Sequence, residues 1–383
     1  MIPQDHPLRV CYFGTYRQEY SRNQIMIEGL RQAGVEVVEC HEQLWNGIED
    51  RVKAASGGWL SLVFIGRVVI TYWSLFKRYR RLSDYEIMVV GYPGQFDVLI
   101  ARLLSWFRHK PLVWDIFMSI YLISKERRLD ERSKFTIEAI KRLEWLVCRL
   151  PNLLLLDTSA YAAWFGATYH IPMDRFALVP TGADDQVFQP SEVDQTENNL
   201  FHVLYYGTFI PNHGIEYIIE AANILSGDSF IQFQMIGDGP DLKKAQDLVR
   251  LYRLENVSFV HWLDRDELIK KIAKANVCLG AFGNTPQSLM TIQNKIYESM
   301  AMAKPVITGN SPAVRQVFVH QEQIYLCDRE NPLSLVDAIR TLRSDRNLCR
   351  RLGQNGYHLF CEKYSIKQNG QLFLSYLNKL AFE

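Results

Sequence analysis

Short apolar segments recur along this chain of 383 residues, each followed by a stretch of helical period, and the series runs twice. That alternation constrains the fold more than any other feature. The first series reads LRVCYF (8–13), VEVVEC (35–40), EIMVVG (86–91), PLVWDIF (111–117), LLLLD (153–157) and FALVP (176–180). Ser21 is expected to cap the first helix, which should end at Gly34. Near-continuous apolar strands joined by helices form a parallel sheet covered on both faces. PSEVDQTENN (190–199) is polar and aperiodic, as a linker is. The second series follows: HVLYYG (202–207), IQFQMIG (231–237), NVSFVHWL (256–263), VCLGAF (277–282), PVITG (305–309) and QIYLC (323–327), with helices expected at 214–226, 240–253 and 265–275. Three helical stretches close the chain. A chain this long exceeds one hydrophobic core. The expectation is an α/β protein of two doubly wound domains, with a ligand cleft between the carboxyl ends of the two sheets. The reading is a first domain over 1–189, a linker at 190–200, a second domain over 201–365, and a last helix, 366–383, returning to the first.

Charge is uneven although the net value is +1. Residues 51–150 carry 18 Lys and Arg against 9 Asp and Glu. Within them lies the one long apolar run, WLSLVFIGRVVITYWSLFKRYRR (59–81). Arg67 at its middle argues against a transmembrane span. Trp59 and Trp73 near its ends and the basic KRYRR suit an interfacial helix on anionic lipid. A core helix with a solvated basic end fits equally, and both readings stand. The basic stretch is apolar rather than interleaved with aromatic and polar residues, which speaks against nucleic-acid binding. The seven Cys show no zinc spacing and no C-x-x-C, as in a reducing compartment. The N-terminus lacks the basic start and apolar run of a signal peptide, so a cytoplasmic protein is expected, with peripheral contact to the inner membrane face as an option.

Four stretches carry chemistry. In YYGTFIPNHGIEYIIEAANIL (205–225), Gly207 and Thr208 follow a strand, and His213 sits at a helix entry. His213 reads as a donor to phosphate or as a solvated cap. MIGDGPDLKK (235–244) is a strand, a tight Gly turn and a helix start, with Pro240 expected at N1. It is not G-x-G-x-x-G, which argues against a dinucleotide enzyme. In DRDELIKKIAKA (264–275), Asp264 and Glu267 form a capping box rather than a metal site, and DTSAYAAWF (157–165) opens another helix in the same way. In GNTPQSLMTIQNKIYESMAMAKPVITG (283–309), Lys295 and Glu298 share a helix face in its first turn. An exposed ion pair there contributes under ~1 kcal/mol. A Lys at a helix N-terminus opposes the dipole, however, unless an anion also sits there.

Together, YYGTF, IGDGP and YESMAMAKPVI, in that order, resemble the retaining glycosyltransferases of the GT-B fold, family 4. FGTYRQEYSRNQIMIEGL and VPTGADDQVFQP are similar to the same family's first loop and pre-linker segment. The resemblance implies two Rossmann-like domains and transfer of a sugar from a UDP- or GDP-sugar to a lipid-linked or polysaccharide acceptor, with no cofactor and no metal. It also implies that Glu298, the second Glu of a Glu-x7-Glu segment, binds the ribose hydroxyls. Gly207 and Thr208 would lie near the diphosphate, with Gly237 and Gly239 in the second turn. The backbone of Trp262 and Leu263 would lie against the base, and Asn294 would open the donor helix. Gly14 and Arg17, with Arg22, are first-loop candidates. Three positions depart from the pattern. Met290 stands where the first Glu belongs, Thr208 where an Arg is usual, and His213 where a Lys is usual. Some members carry a Lys three before the second Glu, as Lys295 does. Lys295 and His213 are thus the catalytic candidates. Asp115 joins them as the polar residue nearest Phe117, where many members present a His to the acceptor. Two rival readings are a nucleotide-sugar-binding protein without transfer activity and a GT-B nucleotide-sugar 2-epimerase.

Overall fold

The structure is a computed structural model that describes residues 6–44, 62–127, 133–191 and 200–382. The chain divides into two compact units, Met1–Pro180 with Ile366–Glu383, and Thr181–Ser365. The first comprises β1 (Arg9–Gly14), α1 (Ser21–Gln32), β2 (Glu36–His41), α2 (Leu62–Arg80), β3 (Ile87–Val90), α3 (Asp97–Phe107), β4 (Leu112–Asp115), α4 (Ile120–Glu126), α5 (Lys134–Val147), β5 (Leu153–Leu156), α6 (Ser159–Tyr169) and β6 (Phe176–Leu178). The second comprises β7 (Phe201–Tyr206), α7 (Ile215–Ile224), β8 (Ile231–Ile236), α8 (Leu242–Tyr252), β9 (Val257–Val260), α9 (Arg265–Lys274), β10 (Val277–Leu279), α10 (Pro286–Met290), α11 (Asn294–Ala301), β11 (Val306–Gly309), α12 (Pro312–Arg315), β12 (Tyr325–Cys327), α13 (Pro332–Ser344) and α14 (Arg346–Lys363). The last helix, α15 (Ile366–Phe382), packs in the first unit.

Each unit holds a six-stranded sheet, in order β2-β1-β3-β4-β5-β6 and β12-β11-β10-β7-β8-β9. Every pairing is parallel. The uniform burial of strands such as IMVV is the reason for their unbroken apolar runs, since helices cover both faces. In the first unit, Val10, Tyr12, Met26, Leu30, Val89 and Leu155 pack with Phe373 and Leu377 of α15. The α1–α15 contact is backbone to backbone: a Cβ on Gly370 would lie 1.8 Å from the carbonyl oxygen of Gly29. In the second unit, Val203, Tyr205, Phe233, Leu279 and Ile307 form the core with Ile218 and Ile219 of α7.

Several local expectations are corrected. Tyr20, in extended conformation, is the cap of α1, and Ser21 is already helical; the helix ends at Gln32 rather than Gly34. Pro240 precedes α8, because the Asp241 amide bonds to the Phe209 carbonyl and occupies the cap position. Strand β9 stops at Val260, which leaves Trp262 and Leu263 in the following loop. Asp264 caps α9 as expected, accepting from the Glu267 amide at 2.9 Å. Of the apolar run, Trp59 and residues up to 61 lie outside the described residues. The remainder forms α2, which buries Thr71, Leu75 and Tyr79 and exposes its opposite face. Among the described residues no helix is long and apolar enough to cross a membrane.

Candidate functional site

Parallel pairing places the carboxyl ends of β7, β8 and β10 side by side in the second unit. Three connections leave that edge. The first runs from Gly207 through a 3-10 turn, Pro211–His213, into α7. The second is Gly237–Asp238–Gly239 before α8, and the third runs from Gly280 through α10 to α11. They interlock through glycines. Gly207 adopts φ +137° and Gly237 φ +135°, and a Cβ on Gly237 would stand 2.0 Å from the Gly207 carbonyl oxygen. A Cβ on Gly207 would stand 2.9 Å from Nζ of Lys295. Only glycine lets these backbones meet beside the Lys head.

Lys295 is the unusual group. It is 6% exposed, in the first turn of α11, and its Nζ has no hydrogen-bond partner among the described residues. The ammonium lies 3.9 Å from the centroid of the Tyr205 ring. Burial pulls its pKa down to about 7, with Glu298 pulling the other way. The exposed ion pair weighed from sequence is not what forms: Lys295 is buried and makes no ion pair within 4.0 Å among the described residues. A buried cation without an acceptor is costly unless a ligand supplies one. Glu298, one turn on, is raised to about 7 by burial, against lowering by the Tyr206 hydroxyl, Lys295 and Arg265. Tyr206 donates to the Lys295 carbonyl at 3.0 Å and reaches Ser299 Oγ at 3.2 Å, which fixes the start of α11.

His213 differs from the expected phosphate donor. Its Nδ1 lies 2.6 Å from the Thr208 carbonyl, an acceptor only, so Nδ1 carries the proton. The Tyr205 hydroxyl donates to that same carbonyl at 2.9 Å and contacts Nδ1 at 2.8 Å. Burial, then the fields of Lys295 and Arg329, hold His213 well below its ordinary pKa. It is a neutral imidazole whose Nε2 offers a lone pair. The reason is placement: two cations and no carboxylate bear on it.

Arg329 went unseen in the sequence reading, because no local pattern marks it. Its Nε donates to the Asn310 carbonyl at 2.9 Å, and Nη1 to Ser288 Oγ at 2.6 Å and to the Gly283 carbonyl. Ser288 Oγ in turn donates to the Asn212 carbonyl at 2.8 Å. Arg329 thus ties the ends of β10 and β11 to the turn that carries His213, with only neutral acceptors, and burial lowers it to about 10. Gln293 Oε1 and Asn310 Oδ1, at the same edge, are buried without a donor among the described residues.

The remaining second-unit candidates scatter. Asn294 opens α11. Gly239 (φ +152°) packs on the Phe209 backbone. Trp262 is exposed, and Leu263 packs, partly buried, against the cluster of Leu204, Tyr206, Ile236 and Ile272. Thr208 contributes its carbonyl to the His213 turn, and Met290 ends α10. In the first unit, Gly14 (φ +132°) ends β1, and the next amide, of Thr15, donates to Asp97 Oδ2 at 2.8 Å. Arg17 lies over the Tyr20 ring. Asp115 lies in an ion pair. It is fully buried and held by Arg22 through Nε at 2.9 Å and Nη2 at 2.8 Å, while Arg22 Nη1 donates to the Val179 carbonyl. Both oxygens of Asp115 and all three guanidinium nitrogens of Arg22 are thus engaged within the fold.

Residues 189–359 match the family model described as Glycosyl transferases group 1. An uncharacterized glycosyltransferase of Methanocaldococcus jannaschii is 25% identical over 174 residues, 45% of this chain and 47% of that protein. The chain thus spans about half the length of that relative. An alpha-D-kanosaminyltransferase of Streptomyces kanamyceticus is 24% identical over 73% of this chain and 72% of its own length. The crystal structure of Anabaena Alr3699/HepE in complex with UDP superposes with a TM-score of 0.70 at 13% identity, covering 97% of this chain and all of that one. The fold is that of the GT-B glycosyltransferases, two α/β units with parallel sheets, and the matched domain and relatives support a transferase.

Proposed function

We propose that this chain, a transferase with a glycosyl transferases group 1 domain, moves a sugar from a nucleoside diphosphate sugar to a lipid-linked or polysaccharide acceptor at the cytoplasmic face of a membrane, with retention and without a metal. The observation that carries the donor reading is the Lys295 ammonium, buried and unpartnered beside Gly207. When the bond from the anomeric carbon to the diphosphate breaks, the electron pair leaves on phosphate oxygen. A preorganised buried cation stabilises that charge more than water does. The N-terminus of α11 adds its free amides. Glu298 accepts from the ribose hydroxyls. Neutral His213 serves as a hydrogen-bond acceptor for a donor hydroxyl and leaves the charge to Lys295. UDP in the Anabaena protein of the same fold supports a uridine donor, and GDP remains the other arm. The acceptor reading is supported by the basic surplus in residues 51–150.

The test is a melting series with UDP, GDP and their sugars, followed by product analysis of the stabilising donor. A nucleoside diphosphate binding the folded state raises the melting temperature by mass action. No shift with any of them overturns the donor site. A stabilising donor that is never consumed with lipid-linked or polysaccharide acceptors overturns the acceptor class.

A further inference from the structure

We propose that the outer faces of α2 and α3 together form one docking face for an anionic lipid bilayer. The inference deepens the membrane part of the function proposed above and is independent of the donor site. Helix α2 buries Thr71, Leu75 and Tyr79, four residues apart, so Val69, Ile70 and Trp73 point the opposite way. They are 62%, 70% and 59% exposed. Helix α3 buries Val98, Ala101 and Ser105 and turns out Leu103, Trp106 and Phe107 at 60%, 61% and 71% exposure. The helices are neighbours. Tyr72 donates to Asp97 Oδ1 at 2.8 Å, and Tyr79 to the Leu104 carbonyl at 3.2 Å. Two neighbouring helices thus each carry an exposed apolar stripe, an arrangement that soluble surfaces seldom leave bare.

Charge selects the occupant. The two helices hold one carboxylate, Asp97, and it is buried. Lys77 and Arg80 in the last turn of α2 and Arg81 just after it are exposed, with Lys77 over the Trp73 ring at 5.3 Å. A second copy of the chain would bring the same positive charges against these. A nucleic acid would meet Val69, Ile70 and Leu103, which neither stack on bases nor bond to them. An anionic bilayer satisfies both halves: hydrocarbon takes the aliphatic side chains, the indoles sit at headgroup level, and each Lys or Arg near the surface contributes about 1 kcal/mol. The sequence showed the α2 run alone; the α3 half arises from packing.

The experiment is co-sedimentation of the full chain with vesicles of phosphatidylcholine, alone or with phosphatidylserine. Two variants accompany it, L103S/W106S/F107S on α3 and K77Q/R80Q/R81Q on α2, each with its melting temperature and UDP binding measured. Wild type should bind phosphatidylserine vesicles, release with salt, and ignore neutral ones. The basic variant should lose roughly a hundredfold in partitioning, from three contacts of about 1 kcal/mol each. The α3 variant should lose at least tenfold. UDP binding should be unchanged in both, so failure to bind UDP at all refutes the donor site without touching this face. Equal binding of wild type to neutral vesicles, no binding to anionic ones, or an α3 variant that folds and partitions like wild type overturns the proposal. So does a wild-type dimer that the α3 substitutions dissociate.

Discussion

Replacing Lys295 by Met should make the ligand-free protein more stable and the donor site worse, two effects of opposite sign from one substitution. Lys295 falls from 10.5 to about 7, roughly 3.5 units at ~1.36 kcal/mol each, or about 5 kcal/mol at most. The sign follows from proton binding. Between pH 7 and 10.5 the unfolded chain binds the Lys295 proton more tightly than the folded one, so its cost is full below pH 7 and fades as pH rises through that window. Met removes the cost and fills the same space beside Tyr205. It also removes the pull of Lys295 on Glu298, which offsets part of the gain. The expected net is about 2 kcal/mol at neutral pH, or about 4–8 °C in the melting temperature of a unit this size. The lost charge-assisted contact should weaken UDP by about 1.5–3 kcal/mol, ten- to a hundredfold. Turnover should fall by about 10²–10³. Calorimetric melting without nucleotide, titration with UDP and steady-state rates give the three readouts. A variant that melts lower than wild type, binds UDP equally well and turns over within threefold refutes the reasoning.

Glu298→Gln should weaken UDP binding about tenfold or more, because a carboxylate accepting from hydroxyls is replaced by an amide; unchanged affinity by titration counts against a ribose role. Glu298 is an acid raised from 4.5 to about 7, so it costs stability as pH rises through that window, and the Gln variant should gain over wild type most above pH 7. His213→Asn tests the neutral imidazole. Because the folded pKa lies well below 6.5, wild type should lose stability as pH falls below that value, and the variant should lose less; parallel melting curves against pH would refute the assignment. Arg329→Met leaves the Gly283 and Asn310 carbonyls and Ser288 Oγ without their donor. It should cost about 3 kcal/mol by denaturant unfolding, and a loss below about 1 kcal/mol would mean the loop is held by other contacts.

How much of this was legible depended on whether the signal was local. The two sheets were, since six apolar runs in each half, broken at 190–199, leave few other folds, and both six-stranded parallel sheets form. The Asp264 cap was legible because its partner Glu267 is three residues away. Boundaries set by distant backbone were not. The start of α8 is decided by a bond from Asp241 to Phe209, and the cap of α1 by the conformation of Tyr20. Lys295 was legible as a misfit with the helix dipole, but its burial was not. The Tyr205 ring that covers it comes from a strand ninety residues earlier in the chain. Arg329 was invisible for the same reason, since it joins residues 283, 288 and 310.

Two of the buried cations among the described residues show why pairing, not burial, separates support from chemistry. Arg22 and Lys295 both lie beside the carboxyl edge of a sheet, and both are removed from solvent. Arg22 meets Asp115 through two nitrogens and a carbonyl through the third, so its desolvation is offset within the fold. Nothing is left over for a ligand, and removing Asp115 should leave an uncompensated buried charge that costs about 3–5 kcal/mol. Lys295 Nζ has an aromatic face and a glycine against it and, among the described residues, no hydrogen-bond partner. Its desolvation is offset when an anion arrives, which makes that cost a source of specificity for the charged part of a donor. Asp115→Asn should therefore lower the melting temperature with or without UDP by the same amount. Lys295→Met should change the gap between the two curves. If both substitutions shift the two curves in parallel, Lys295 is a structural residue and the donor site lies elsewhere.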